Sequence, residues 1–414
     1  MPAHRRASPD HVIIATWEGH GGTPETYSRG VRWAAALTLV LALACPATTA
    51  PVPAADVTVG CRGQQVPPPP AAEEELVDPA PGPLPWPDEP VGGPGMGTCE
   101  EIGPEGAPEL TAESWVLADL DTGAVLAAKA PHARHRPAST LKVLTALAAI
   151  RTLDPNTVVA GTAADQAIDG SKAGIGAGGQ YTVRQLLAGL LLNSGNDTAQ
   201  ALAREMGGDA AALAVMTDIA RELGALDTRP ATPSGLDGPG MASSAYDLAL
   251  LFRAAMREPL FAQTTSLDSI PFPGYGEHPG FELYNSSKLL ARYEGTIGGK
   301  TGYTEAARHT LVAAAERDGR RLVVALMRGE QKPEPMWEQG ADLLDWGFDL
   351  PATTPAVGTL VEAAPAPPAP DTTTLAAGST LTAGPDASLV LPIGLGAVGI
   401  AGLVIGGLAL RRGR

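Results

Sequence analysis

Prolines decide where this chain can build a core. Of its 414 residues 39 are proline and 49 glycine, and proline is dense in two stretches, residues 51–107 and 351–388, where alanine, threonine and acidic residues fill the gaps. A proline donates no hydrogen bond and fixes its own φ, so both stretches read as extended spacers without a core of their own. Between them lies residues 108–350, one domain's worth of sequence with hydrophobic periodicity and no internal repeat.

The two ends of the chain carry different signals. "RGVRWAAALTLVLALACPATTA" has arginines, an apolar run and small residues around Ala50, which reads as an export signal over residues 1–50 with a long n-region. Cys45 after "LALA" is an imperfect match to a lipoprotein cleavage site. "LVLPIGLGAVGIAGLVIGGLAL", Leu389 to Leu410, is uncharged and followed by "RRGR". A bilayer span needs about 20 such residues, and the positive-inside rule leaves residues 411–414 in the cytoplasm and the domain outside it. The expected location is therefore a single-pass cell-membrane protein with an extracytoplasmic domain. A net charge of -16 argues against nucleic acid as a partner. Outside the cytoplasm, Cys61 and Cys99 read as a disulfide closing a proline-rich loop, or else as two free thiols.

Within residues 108–350, "SWVLADL" and "AVLAAK" read as a hairpin around "DTG". "YTVRQLLAGLLLN" has Thr182 and Gln185 spaced as a capping box, and "DTAQALAREMGG" has Asp197 as a helix cap. "RHTLVAAAERDGRRLVVALMRG" is two apolar strands around "ERDG", and "MWEQGADLLDWGF" is a closing helix. Strands at both ends with helices between predict an α+β fold, one antiparallel sheet completed by both ends of the domain with a helical region inserted.

Three short motifs carry chemistry. In "RPASTLKVLTALAAIR", Lys142 is the one charge between Arg136 and Arg151, with apolar or small residues on all sides and Ser139 three positions before it. On the residues alone two readings stand. Ser139 caps the helix while Lys142 extends to water, or a desolvated, neutral Lys142 takes the proton of Ser139 and makes it a nucleophile. "LLNSGNDTA" places Ser194 and Asn196 in a turn between helices, as a plain connector or as a proton relay and an amide-binding group. "TIGGKTGYTEAA" brings Lys300, Thr301 and Gly302 to a glycine-rich strand edge, suited to a peptide backbone and an anchoring carboxylate.

S-x-x-K, S-x-N and K-T-G in this order form the signature of penicillin-binding proteins and class A β-lactamases. With "ADLDTGAVL", "LLAGLLLNSGNDTAQALA", "TPSGLDGPG" and "GGKTGYTEAA" between and around them, the chain resembles the low-molecular-mass penicillin-binding proteins, the serine-type D-alanyl-D-alanine carboxypeptidases of the peptidase S11 kind. That resemblance implies a β-lactamase/transpeptidase-like fold and removal of the terminal D-alanine of peptidoglycan stem peptides through an acyl-enzyme. It further implies Ser139 as nucleophile, Lys142 as base and Ser194 in the catalytic set. Asn196, Lys300, Thr301, Gly302 and Tyr303 would bind substrate, with the backbone N–H groups of Ser139 and Tyr303 as the oxyanion hole. β-Lactams become expected inhibitors, and no metal or cofactor is called for.

Arg308 in "TEAARHT" stands where family members often have glycine, and the all-β second domain of several relatives is missing. No "ExxLN" phrase, the usual carrier of a β-lactamase deacylating glutamate, occurs between 194 and 300. A class A-like β-lactamase and a silent wall-binding module are the rival readings. "HARH", His132 and His135, has no second cluster to complete a metal site and is expected on the wet surface.

Overall fold

In the computed structural model, which describes residues 81–364, the elements run in the following order. First come β1 (Glu101–Ile102), β2 (Ser114–Asp119), β3 (Ala124–Lys129), α1 (Lys142–Thr152), β4 (Val158–Ala160), α2 (Ala163–Ala167), β5 (Gln180–Thr182) and α3 (Val183–Leu192). The helical middle continues with α4 (Asn196–Glu205), α5 (Asp209–Leu223), α6 (Ala245–Met256) and α7 (Pro259–Thr265), then β6 (Ser269–Phe272), β7 (Phe281–Tyr284) and α8 (Lys288–Arg292). Last are β8 (Thr296–Thr304), β9 (Arg308–Arg317), β10 (Arg320–Gly329), α9 (Met336–Asp349) and β11 (Gly358–Thr359).

The main sheet joins the two ends of the domain, in the order β1-β3-β2-β10-β9-β8, with β11 also pairing β3. All its pairings are antiparallel, and the central one aligns Leu117 of β2 with Val324 of β10. Both faces are covered, which explains why these strands read as continuous apolar runs rather than alternating ones. Val116, Val312 and Val323 face the helical region with α1 and α6. Trp115, Leu311 and Val324 face the other way, against Leu343 and Leu344 of α9. The fold is the expected α+β arrangement, and the capping box of α3 forms, with Thr182 and Gln185 each accepting the other's backbone N–H.

The expected boundaries 107 and 351 fall too far inside. Residues Pro94–Gly97 form a 3-10 turn with Met96 fully buried, and β1 pairs with β3. On the C-terminal side β11 pairs with the same strand and Leu360 is buried. The reason is the outer edge of β3. Left bare it would present unpaired backbone groups, and the innermost parts of both supposed spacers cover it. The straps also meet each other, Thr359 N donating to Gly92 O at 3.0 Å. Cys99 is disulfide-bonded; its partner, the export signal at 1–50 and the apolar segment 389–410 lie outside the described residues. Among the described residues no helix is long and apolar enough to cross a membrane.

The placement of "HARH" on a wet surface is corrected. His132 and His135 are both buried, at 8% and 7% exposure. His132 Nδ1 lies 2.6 Å from Asp227 Oδ2 and Nε2 lies 2.9 Å from Val91 O. Asp227 also accepts from Arg134 Nε at 2.8 Å, so it is ionised; with two accepting partners the ring holds both its protons. Burial pulls the His132 pKa down, but the hydrogen bond and charge of Asp227 outweigh it and the net shift is upward. Arg134 donates onward to Leu84 O and Pro85 O and stacks over Trp86 at 3.3 Å, so the motif straps the segment before β1 to the domain. His132, Asp227 and Asp247 bring ligand-type atoms within 4.8 Å of one another, yet both imidazole nitrogens and both Asp227 oxygens are already engaged, so the trio does not fit a cation.

Candidate active site

Ser139 sits in a 3-10 turn, Ala138–Leu141, that runs straight into α1. Ala138 just before it has φ 49, the left-handed region that side chains disfavour. Packing holds it there. Thr140 and Thr310 both donate to Pro137 O, at 2.6 and 2.8 Å. Glycines close in from two sides: a Cβ on Gly235 would collide with Ala138 O, and one on Gly302 would stand 2.7 Å from Ser139 N. The Ser139 turn is thus clasped between the 230s loop and β8 by backbone contact only glycine permits.

Lys142 is fully buried. Its Nζ contacts Ser139 Oγ at 2.9 Å, Asn196 Oδ1 at 2.7 Å and Ser234 O at 2.5 Å. The Asn196 amide is fixed in orientation because its Nδ2 donates to Asp169 O at 2.7 Å. Two of the three partners of Nζ can therefore only accept, whereas the hydroxyl can also donate. A neutral amine is fully satisfied here: two N–H bonds to Asn196 and Ser234, and its lone pair facing the Ser139 proton. Burial is the largest cause holding the Lys142 pKa well below the usual lysine range, and the charge of Lys300 adds to it. The water-exposed reading of Lys142 is excluded.

The other motif residues gather around this pair. Ser194, at φ 57 in the turn between α3 and α4, lines a cavity of about 420 Å³ together with Ser139, Thr301, Gly302 and Tyr303. Asn196 stands at the start of α4, behind Lys142 and away from the cavity lining. Lys300 is only 4% exposed; its Nζ donates to Thr301 O at 2.7 Å, and burial lowers its pKa to about 7. It contributes charge from beneath the cavity rather than at its surface.

Asp197 does not cap α4, for which Gly195 is the N-cap. Its fully buried carboxylate instead accepts four backbone N–H bonds, from Ala173, Gly174, Ile175 and Thr198, at 2.8 to 3.0 Å. That clamps the loop carrying Asp169 O, and with it the Asn196 amide that faces Lys142. Arg308 explains its own departure from the glycine pattern: its φ is 57, where glycine is favoured, and a two-pronged ion pair with Glu330 at 2.8 and 2.7 Å secures it.

A family profile described as D-alanyl-D-alanine carboxypeptidase matches residues 103–331. The chain belongs to this family. As a member of the D-alanyl-D-alanine carboxypeptidases it is a serine peptidase and a hydrolase. The D-alanyl-D-alanine carboxypeptidase DacB2 of Mycobacterium tuberculosis is 50% identical over 248 residues, 59% of this chain and 84% of that one. DacD of Escherichia coli is 34% identical over 254 residues, covering 58% of this chain and 64% of its own, so the chain spans just under two thirds of that relative. Among solved structures, a D-alanyl-D-alanine carboxypeptidase from Mycobacterium tuberculosis superposes with a TM-score of 0.60 at 48% identity, covering 62% of this chain and 99% of that one. A Streptomyces DD-transpeptidase gives 0.56 at 27% identity, covering 59% and 100%.

Several site residues escaped the sequence reading. The Ser234 carbonyl belongs to "TPSGLDGPG", a phrase legible as family-like but with no hint that its backbone oxygen meets Lys142. Ser171, His309 and Gln331 line the cavity without any motif to announce them.

Proposed function

We propose that the protein is an exported, membrane-tethered carboxypeptidase that removes the terminal D-alanine from peptidoglycan stem peptides, with Ser139 as the acylated nucleophile and β-lactams as inhibitors. The observation that carries this reading is the pattern of partners around Lys142, which leaves a lone pair aimed at the Ser139 hydroxyl. Lys142 takes the Ser139 proton as Oγ bonds to the carbonyl carbon between the two terminal residues. The backbone N–H groups of Ser139 and Tyr303 are proposed to hold the resulting oxyanion. The proton passes through Ser194 to the leaving nitrogen, the C–N bond breaks, and D-alanine departs. Water then attacks the acyl ester, giving a proton back by the same route and restoring Ser139. Thr301, Gly302 and Tyr303 on edge strand β8 offer the backbone along which an extended peptide lies. Below about pH 7 Lys300 adds a positive potential beneath it.

Export by residues 1–50 and anchoring by 389–410 rest on the sequence alone, and extraction of the full-length chain from washed membranes only by detergent is the result that would support them. The enzymatic reading is tested by D-alanine release from a pentapeptide, together with a fluorescent penicillin. Stable labelling that vanishes in Ser139→Ala, with D-alanine released by the wild type, supports it. Rapid loss of label with drug hydrolysis would favour a β-lactamase, and absence of both label and release would favour a silent wall-binding module.

A further inference from the structure

On a chain with a net charge of -16, a cavity of about 330 Å³ is lined by two arginines, Arg221 and Arg229, and by no acid among the described residues. It shares no lining residue with the cavity at Ser139. Arg151, in the last turn of α1, pairs with Glu222, the neighbour of Arg221 on α5. The eleven residues of α1, about 16 Å, therefore stand between this region and Ser139 at the other end of the helix.

Pro85, Trp86 and Pro87 build one wall. The flanking prolines limit the backbone there, and Arg134 fixes it by donating to Leu84 O at 2.6 Å and Pro85 O at 2.8 Å. Arg134 also lies over the indole of Trp86, 3.3 Å from the ring centroid. What the 39% exposed ring offers the cavity is thus its other face or its edge. Ala225 and Leu226, just past the end of α5, add further apolar surface.

The two guanidinium groups have no ion pair or side-chain hydrogen bond among the described residues. Arg221 is exposed, and Arg229 is half-buried. Gly240, at φ 65, clears the place where the Arg229 guanidinium lies, since a Cβ there would stand 2.6 Å from its Nη1. Asp227, two residues before Arg229, is already taken by Arg134 and His132. Burial, and then the charge of Arg134, lower the Arg229 pKa, so an anion beside it would relieve the group. A guanidinium presents parallel N–H donors that match a carboxylate or a phosphate. The indole and its apolar neighbours match the C–H face of a sugar ring. A bare anion would leave the apolar wall uncovered, and a neutral sugar would leave the arginines without a counter-charge.

We propose that this cavity is a second, non-catalytic site that binds an anionic saccharide, a sugar ring bearing a carboxylate or a phosphate, with Arg221 and Arg229 on the acid group and Trp86 against the ring. The volume suits one such ring, at the small end of ligand sites. The assignment does not rest on the carboxypeptidase reading, because its test uses no turnover. Purified full-length protein in detergent is titrated calorimetrically with glucuronic acid, glucose 6-phosphate, glucose and inorganic phosphate. One or both acidic sugars bind, the tighter one showing whether a carboxylated or a phosphorylated glycan is the source, and glucose and phosphate bind more weakly. Arg229→Gln and Arg221→Gln each weaken the acidic sugar roughly 10- to 100-fold, the worth of a hydrogen bond to a charged group, while fluorescent-penicillin labelling stays at the wild-type rate. Trp86→Ala weakens the sugar and leaves phosphate unaffected. Thermal unfolding checks each variant, and the exposed Arg221 decides the matter if Arg229→Gln does not fold. Absence of binding, or binding unchanged in the folded arginine variants, overturns the site. Phosphate binding as tightly as the sugars, with no effect of Trp86→Ala, overturns the saccharide class. Binding that appears only once Glu73, Glu74 and Glu75 are replaced by glutamine makes the chain's own acidic stretch the occupant and overturns the proposal.

Discussion

Replacing Lys300 by methionine should make the protein more stable while disabling it, and the pH dependence of the gain is calculable. Lys300 is 4% exposed and its pKa falls from 10.5 to about 7 by burial. The unfolded chain binds the proton more tightly than the folded one, so between pH 7 and 10.5 unfolding takes up a proton. Below about pH 7 both states hold the proton and the full penalty is present; above 10.5 neither does and it is gone. At ~1.4 kcal/mol per pH unit the penalty amounts to roughly 5 kcal/mol at its ceiling. A methionine of similar length carries none of it. Denaturant unfolding of wild type and Lys300→Met at closely spaced pH values from 6 to ~10.5 should show the mutant ahead by a few kcal/mol at and below neutrality. That lead should shrink by ~1.4 kcal/mol for each unit above pH 7 and vanish near the unfolded-state value. Penicillin labelling should slow sharply in the mutant. Removal of its positive neighbour should also raise the Lys142 pKa, moving the acid limb of the labelling rate to higher pH. A stability difference that is flat with pH, or that grows toward alkaline pH, would show that the buried amine has been misjudged.

Asp197→Asn keeps the shape but replaces one accepting oxygen by a donor facing buried N–H groups; a loss of about 3 kcal/mol by denaturant unfolding and slower acylation of Ser139 are expected. At position 308 the left-handed backbone predicts that glycine is more stable than alanine by about 1 kcal/mol, measured by thermal unfolding of Arg308→Gly and Arg308→Ala; equal stabilities would mean the conformation is not strained. His132→Gln removes a charge-assisted bond worth roughly 1.5–3 kcal/mol. Because the folded pKa of His132 is raised, this contribution is complete below pH 6.5 and is lost as pH rises through the folded value, so the stability gap to wild type should narrow there. Proteolysis around Trp86 should quicken in the same variant.

What could be read from the sequence is what is decided locally. The hairpin of β2 and β3, the "ERDG" turn between β9 and β10, the capping box of α3 and α9 all rest on neighbours a few residues apart, and they form as expected. Ser139, Lys142, Ser194 and the K-T-G residues were legible because their spacing is a motif, although it gave no hint that Lys300 lies beneath the cavity. The Asp197 clamp was misread because a carboxylate near a helix start looks the same whether it caps that helix or grips a loop more than twenty residues away. His132 was misread for a similar reason: its partners Asp227 and Val91 are remote in sequence, and an isolated histidine looks wet until its counter-ion is placed. The domain boundaries failed because composition marks proline-rich chain as spacer, while the demand of β3 for edge partners is visible only in three dimensions.

The pairing of β2 with β10 also governs how the domain can come into being. Leu117 must wait for Val324 before the middle of the sheet exists, so the first hairpin emerges long before its permanent neighbour and closure carries a large loop entropy. The helical segments, whose contacts are nearer in sequence, can gather sooner. Any chain interrupted before residue 320 leaves β2 without that neighbour and Ser139 without β8 and β9 correctly mounted, which ties assembly of the cavity around Ser139 to completion of the polypeptide.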